Sequence, residues 1–328
     1  MGDRDHASTA LAAAVTRRAS TQSYLTIRWL ADAGYQADAF ALYAYFRWLD
    51  DEVDERLTGR ADRLALLARQ RGILAAAQAG PGGGDGPDGV LPPDTTPQER
   101  LLVRLARRAS AAADDGEAGE GLRTALGAML DVLEFDAGRR GRPVTQADLD
   151  GYSRDLAVAV TETIHHCVGH GCRAPRDETR YVAVVGAHVA HMLRDLAEDL
   201  AAGYLNVPCD VVPDLPRTLA DLHGDEVREW VHDRVAYARA CFAVGRTYLD
   251  QVGSVRCRLA GHAYVARFEW VLDAVERDAY RLRAGYPERA TLRGGVSVAA
   301  RGLRSALVGR RVSTTPSGSA AGPRVSVP

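Results

Sequence analysis

Asp50, Asp51, Glu52, Asp54 and Glu55 place five acids in six consecutive positions of the stretch RWLDDEVDE, directly behind an apolar, aromatic run from Phe40 to Phe46. On a helix, residues four apart share one face, with Cβ atoms about 5–6 Å apart. Asp50 and Asp54 fit that spacing, and Asp51 and Glu55 form a second pair beside them. The arrangement returns far along the chain in Arg194-Asp195-Leu196-Ala197-Glu198-Asp199, where Asp195 pairs with Asp199 and Arg194 with Glu198. Either both clusters are solvated helix ends, or they face each other across a cavity. Facing inward, at least four carboxylates would crowd together, and they cannot all stay ionised there without a compensating cation. Mg²⁺ is the natural compensator, because it takes oxygen ligands at about 2.1 Å, keeps several waters, and is shared between one or two carboxylates and a substrate phosphate. The substrate so implied is a diphosphate, with Arg47 and Arg194 able to fork onto its oxygens. Tyr24, Trp29, Tyr43, Tyr45, Phe46 and Trp48 would then wall an apolar chamber fit for a hydrocarbon tail and able to stabilise a carbocation.

The elements that must carry these side chains are helices. Apolar residues recur at three-to-four spacing along 100–138, 146–170, 178–202, 224–251 and 256–284, and almost nothing alternates with period two. Gly80 to Pro97 reads as a mobile loop (about 79–98), and its glycines follow no strand, so they carry no dinucleotide-binding meaning. Pro208 to Pro216 is a second irregular connection. The segment 296–311 is weakly amphipathic, a solvated last helix or a peripheral membrane contact. Residues 313–328 have the composition of a disordered tail. The expected organisation is one all-α domain over residues 1–312.

Bulk properties exclude several classes. A net charge of −2 gives no footprint for nucleic acid. All 41 basic residues are arginine, so Schiff-base catalysis and a Walker-type phosphate loop are ruled out. The opening MGDRDHASTA lacks the apolar core of a secretion signal, no apolar run is long enough to span a bilayer, and five cysteines in 328 residues do not make a disulfide scaffold. A reduced, cytoplasmic enzyme is the expectation.

With those residues in view, the chain resembles the squalene/phytoene synthase family of isoprenyl diphosphate-using enzymes. The first family signature, an aromatic run ending in Arg and a DDxxD string, stands as YAYFRWLDDEVDE. The second, RDxxEDxxxGxxxxP, runs from Arg194 to Pro208. A Ser-x-Ser-Phe element that touches diphosphate corresponds to Thr21-Gln22-Ser23-Tyr24, and the helix bearing a functional Tyr to Tyr152–Ala157. The likeness extends over about residues 18–290. It implies an isoprenoid-synthase-type helical bundle around a central cavity. It also implies metal carriage by Asp50, Asp54, Asp195 and Asp199, with help from Asp51 and Glu198, and diphosphate contact by Thr21, Ser23, Tyr43, Arg47 and Arg194.

Departures from the pattern cluster after Tyr152, where two family glycines are Val158 and Thr161. His188 and His191 stand where Gln and Asn are usual, Tyr204 and Asn206 where Arg and Tyr are usual, and Phe268 replaces a Tyr. Bulkier residues predict a narrowed cavity. Glu162 and His165 could face it as an acid/base pair, and His191 could contact diphosphate or remove a proton. His166, His170, Cys167 and Cys172 have zinc-like spacing at a helix end, where histidine is favoured in any case. Tyr264, Arg267, Tyr280, Arg281 and Arg283 are placed on the last long helix.

The function expected is a Mg²⁺-dependent prenyltransferase that ionises an allylic C5–C20 isoprenyl diphosphate and couples the cation to an acceptor. The altered pocket points to a non-standard acceptor, such as an aromatic small molecule. The alternatives are a head-to-head phytoene- or squalene-type synthase, a class I terpene cyclase, and a catalytically inactive isoprenoid-binding protein.

Overall fold

A computed structural model describes residues 3–79, 92–111 and 117–286. Most of the 79–98 loop segment, the 296–311 segment and the 313–328 tail lie outside the described residues. Ten α-helices account for most of the described chain: α1 (Asp3–Ala19), α2 (Thr21–Leu30), α3 (Gln36–Asp51), α4 (Arg60–Gln78), α5 (Pro97–Ala111), α6 (Glu117–Arg139), α7 (Gln146–Cys167), α8 (Thr179–Ala202), α9 (Asp225–Gln251) and α10 (Val255–Arg277). The described residues contain no strand. The stretch expected over 100–138 is two helices, α5 and α6. The last helix also stops earlier than expected, because Ala279 and Tyr280 adopt left-handed backbone at φ 52° and 63°. Tyr280, Arg281 and Arg283 therefore follow α10 instead of riding on it.

Local chemistry sets the boundaries. Ser20 caps α2 by accepting the Ser23 N–H, and Thr145 with Asp148 forms a reciprocal capping box at α7. At the end of α8, Gly203 takes φ 90°, a conformation that glycine adopts without strain. The Tyr204 N–H then bonds the Asp199 carbonyl at 2.8 Å, turning the chain back toward α6.

α3 is the central strut. Ala41, Tyr45 and Leu49 are completely buried. The Tyr45 hydroxyl donates to Gln70 at 3.1 Å, and Gln70 donates to Glu99 at 3.0 Å. Burial alone would raise the Glu99 carboxyl, but hydrogen bonds from Arg69, Gln70 and the Thr96 N–H outweigh it and hold the group down at about 2. At the other end of α3, buried Asp38 meets Arg104 and His166, both at 3.2 Å, tying α3 to α5 and α7.

α8 packs closely along α9 because small residues face each other. A Cβ on Gly245 would lie 2.5 Å from the Ala183 Cβ and 2.8 Å from its Cα, a contact only backbone movement could relieve. Gly245→Ala is accordingly expected to destabilise the fold by about 1–3 kcal/mol. A urea midpoint lowered at unchanged slope would register it; an unchanged midpoint would show that the two helices separate at no cost.

Candidate active site

α3 ends at Asp51 and passes into one wider turn, Glu52–Arg56, closed by a Leu57 N–H bond to the Glu52 carbonyl five residues back, at 2.9 Å. Such π turns recur at functional sites. This one swings Asp54 beside Asp50. From the facing wall, α8 presents Asp195 and Asp199 one turn apart. All four line one cavity of about 240 Å³, together with a fifth acid, Asp136 of α6.

The electrostatics register the crowding. Burial, then the nearby Asp54, pushes Asp50 up to about 6, with Asp136 and Asp51 adding to the effect. Burial and Asp195 likewise push Asp199 up to about 6. Burial also raises Asp136. Asp195 behaves oppositely: burial would raise it, but hydrogen bonds from Arg194 and from His191, at 2.8 Å, hold it far below the usual range.

Arg139 is the cavity's internal cation. Its Nε donates to Asp136 at 2.7 Å, and another nitrogen donates to Asn206 Oδ1. Asn206 passes the link on to Asp199 at 2.7 Å. The guanidinium lies over the rings of Tyr204 and Tyr152, at 4.9 and 5.0 Å from their centroids. The Tyr152 hydroxyl donates to Asp136 at 2.8 Å, and the Tyr204 hydroxyl to Asp54 at 2.8 Å. Sequence reasoning missed Asp136 and Arg139, because a lone Asp-x-x-Arg pair in an amphipathic helix carries no signal. Tyr204 and Asn206 were visible as departures from a family pattern, but their place in the acid cavity was not.

Asp50, Asp136, Tyr152 and Leu156 also belong to a second, largely apolar chamber of about 900 Å³, walled by α2, α3, α6, α7, α8, α9 and α10. That volume stands at the upper end of ordinary ligand sites, about 300–1,000 Å³. Thr161 lines the chamber and Val158 does not. Of the aromatic wall, Tyr43 and Phe46 line it. Tyr45 is in the core, Trp48 donates to Glu52, and Trp29 is 75% exposed. The chamber runs from Tyr152 to His165 along α7, thirteen residues or about 20 Å at 1.5 Å each.

Of the remaining candidates, Arg47 lines the chamber while paired to Asp50 at 3.4 Å and also to Asp51. Arg194 is bound to Asp195, and neither it nor Asp51 nor exposed Glu198 lines either space. On α2, Gln22 and Thr26 line the chamber; Thr21 and Ser23 do not. Glu162 and His165 are not a pair: Glu162 binds Arg180 at 3.2 Å and Tyr181 at 2.6 Å, whereas His165 Nε2 meets the Tyr248 hydroxyl at 2.7 Å. Buried His188 bonds Ser153 at 3.0 Å. Of the zinc-like set, His166 is engaged by Asp38, His170 bonds the His166 carbonyl at 2.9 Å, and the five cysteines are free thiols.

Among the described residues, no three His, Cys, Asp or Glu side chains converge tightly enough to hold an ion alone. Carboxylates on opposed walls, two of them pushed up by burial and by the next acid on the same wall, fit instead an ion that completes its shell with water and phosphate. No helix among them is long and apolar enough to cross a membrane.

Comparison with known proteins agrees with this picture. The family model for squalene/phytoene synthase matches residues 16–295. The chain's fold is similar to squalene synthase HpnC from Alicyclobacillus acidocaldarius, with TM-score 0.61 and 21% identity over 86% of this chain and 98% of that one. It is also similar to a dehydrosqualene synthase crystallised with ligand, with TM-score 0.59 and 15% identity over 94% and 97% of the two chains. No curated protein sequence matches it.

A carboxyl raised by folding destabilises the folded chain at pH values above its folded value. The effect disappears as pH falls through about 6 toward the ordinary 3.8. Metal-free Asp50→Asn is therefore expected to melt above the parent at pH 7.5 and to lose that advantage by pH 4. Because Asp50 is 43% exposed, the difference should be about 1 kcal/mol after solvent screening. Equal melting at pH 7.5 would mean that burial and the neighbouring acids together do not disfavour the Asp50 charge.

Proposed function

Because the chain belongs to the squalene/phytoene synthase family, prenyltransferase-type enzymes acting on isoprenyl diphosphates, we propose that it ionises an allylic isoprenyl diphosphate with Mg²⁺ and passes the cation to an acceptor in the chamber. The observation that carries this reading is the opening of acids from two distant motifs into one cavity that is continuous with a deep apolar space.

Asp50 and Asp54 on one wall and Asp195 and Asp199 on the other would hold the metal. Bound there, Mg²⁺ neutralises the charge of the departing diphosphate. The chain's own groups do the rest. Arg47, on the chamber wall and paired to Asp50, can turn to a phosphate oxygen. The apolar wall keeps water from the cation, and the rings of Tyr43 and Phe46 offer it their faces. Asp136 and Arg139 fix the Tyr152 ring at the boundary between acid and hydrocarbon. His191 lines the acid cavity beside the reacting end, so it can receive the proton that an acceptor sheds. Glu162 and His165 lie about 15 and 20 Å further along α7 from Tyr152 and cannot serve there.

An acceptor other than a second prenyl diphosphate is favoured by the cavity's cations. Among the described residues lining it, Arg139 is the lone arginine, and it is committed to Asp136 and Asn206. A second diphosphate would bring more charge than that lining can balance. Head-to-head coupling is the second reading, favoured by the 900 Å³ of the chamber, room for two chains side by side.

Purified protein with Mg²⁺ and farnesyl or geranylgeranyl diphosphate should release pyrophosphate. Asp50→Asn and Asp195→Asn should each slow the release by about 10²–10³-fold, the scale of losing one preorganised electrostatic contact. A C30 or C40 hydrocarbon from the diphosphate alone would replace the first reading with the second. No pyrophosphate release would sink both.

A further inference from the structure

Thr161, His165, Arg180 and Tyr248 form a polar patch in the chamber's apolar wall, at the end remote from the carboxylates. Two antiparallel helices give its depth independently. Tyr152 to His165 on α7 is about 20 Å, and Asp195 to Arg180 on α8, fifteen residues, is about 22 Å. An extended isoprene unit, four C–C bonds of about 1.5 Å bent at tetrahedral angles, spans roughly 5 Å. A chain of about four units reaches from the acids to this floor.

We propose that the floor is a binding subsite for an oxygen atom, so that the molecule filling the chamber is a prenyl chain with a hydroxyl, carbonyl or epoxide at its far end. The inference rests on the diphosphate reading of the acid cavity and names the substrate class of that same site.

The polar groups there are incompletely satisfied. Thr161, 5% exposed, has a buried hydroxyl with no partner. Arg180 donates to Glu162, yet its buried Nε has no partner. Tyr248 and His165 bond each other at 2.7 Å with their rings nearly perpendicular. Burial, then Arg180 and Arg176, pushes His165 down to about 4, so at neutral pH its imidazole is uncharged and offers one donor and one acceptor. A hydrocarbon terminus pressed against this set would leave the Thr161 hydroxyl and the Arg180 Nε without a partner. Sites built to hydrogen-bond a hydroxyl reject the analogue lacking one by large factors.

Behind the floor lies a third cavity of about 530 Å³, between α6, α7 and the 168–178 connection, which shares His165 and Arg180 with the chamber. Its charged lining is balanced, Arg176 and Arg180 against Glu120 and Glu162, which suits an uncharged oxygen better than a carboxylate.

The test is a displacement titration in Mg²⁺ comparing geranylgeranyl S-thiolodiphosphate with its form hydroxylated on the terminal methyl. The hydroxylated analogue is expected to bind at least tenfold tighter. Thr161→Val, nearly the same shape, should weaken that analogue while tightening the plain one, and Tyr248→Phe, measured separately, should shrink the gap as well. Equal affinities, or a preference for the plain chain, would reduce the floor to a length stop and overturn the inference. Should neither analogue bind in a Mg²⁺-dependent way, the diphosphate reading fails. The floor is then tested with geranylgeraniol against its terminal diol: a tenfold preference for the diol upholds the subsite, and no preference overturns it.

Discussion

Five carboxylates from three helices and the wider turn after α3 share a cavity of about 240 Å³ with one buried guanidinium. That imbalance is the constraint the rest of the molecule serves. Arg139 neutralises Asp136 directly and steadies Asp199 through Asn206, whereas Asp50 has the looser Arg47 pair at 3.4 Å and Asp54 a neutral partner, the Tyr204 hydroxyl. Burial and the neighbouring acids disfavour the charge on Asp50 at neutral pH, and the bundle must be stable in spite of it. It is: α3 carries fully buried Tyr45 and Leu49 beneath the acids, and α8 is held along α9 by the closeness that Gly245 permits. The site is strained electrostatically because the scaffold is secured by packing.

Helix direction converts that scaffold into a two-ended vessel. α7 descends from Tyr152 at the acid end to His165 at the floor, and α8 climbs back from Arg180 to Asp195. Polar groups at both ends and apolar side chains between them therefore follow from the placement of a few residues on two helices. An apolar chain lying along α7 meets Leu156 and Val160 before it meets Thr161, and hydrocarbon burial of this kind contributes roughly 25 cal/mol per Å². On the proposed reading, binding energy from the tail would be separated by about 20 Å from the bond that breaks, so that remote contacts would hold the reacting end in place.

Much of this was legible in sequence. Helix periodicity placed α7, α8 and α9 to within a few residues, and the four-residue spacing put Asp50 beside Asp54 and Asp195 beside Asp199, since both rest on local geometry. Contacts between elements distant in sequence were not legible. Asp136 becomes a member of the acid cluster only because α6 and α7 pack together. Trp29 and Tyr45 have the same composition-level claim on an apolar wall, yet one is 75% exposed and the other fully in the core, which only the rotation of α2 and α3 decides. The stop of α10 at Arg277 was hidden because left-handed Ala279 and Tyr280 lack the glycine that usually marks such a turn.

The departures from the family pattern acquire a common logic once placed. By size alone, Thr161 in place of glycine should fill space. In the fold it leaves a chamber of about 900 Å³ and adds a hydroxyl to the floor. Tyr204 and Asn206, which follow the second motif where Arg and Tyr are usual, lie at the opposite end. There Tyr204 donates to Asp54, and Asn206 bridges Asp199 to Arg139. One guanidinium is lost from the α8 side, and another, delivered by α6, stands under the rings of Tyr152 and Tyr204. The substitutions thus alter polarity at both ends of the vessel while its middle stays apolar. A change confined to volume would adjust how long a chain fits. A change of polarity at the two ends alters which chemical groups may sit at the chain's head and at its tail.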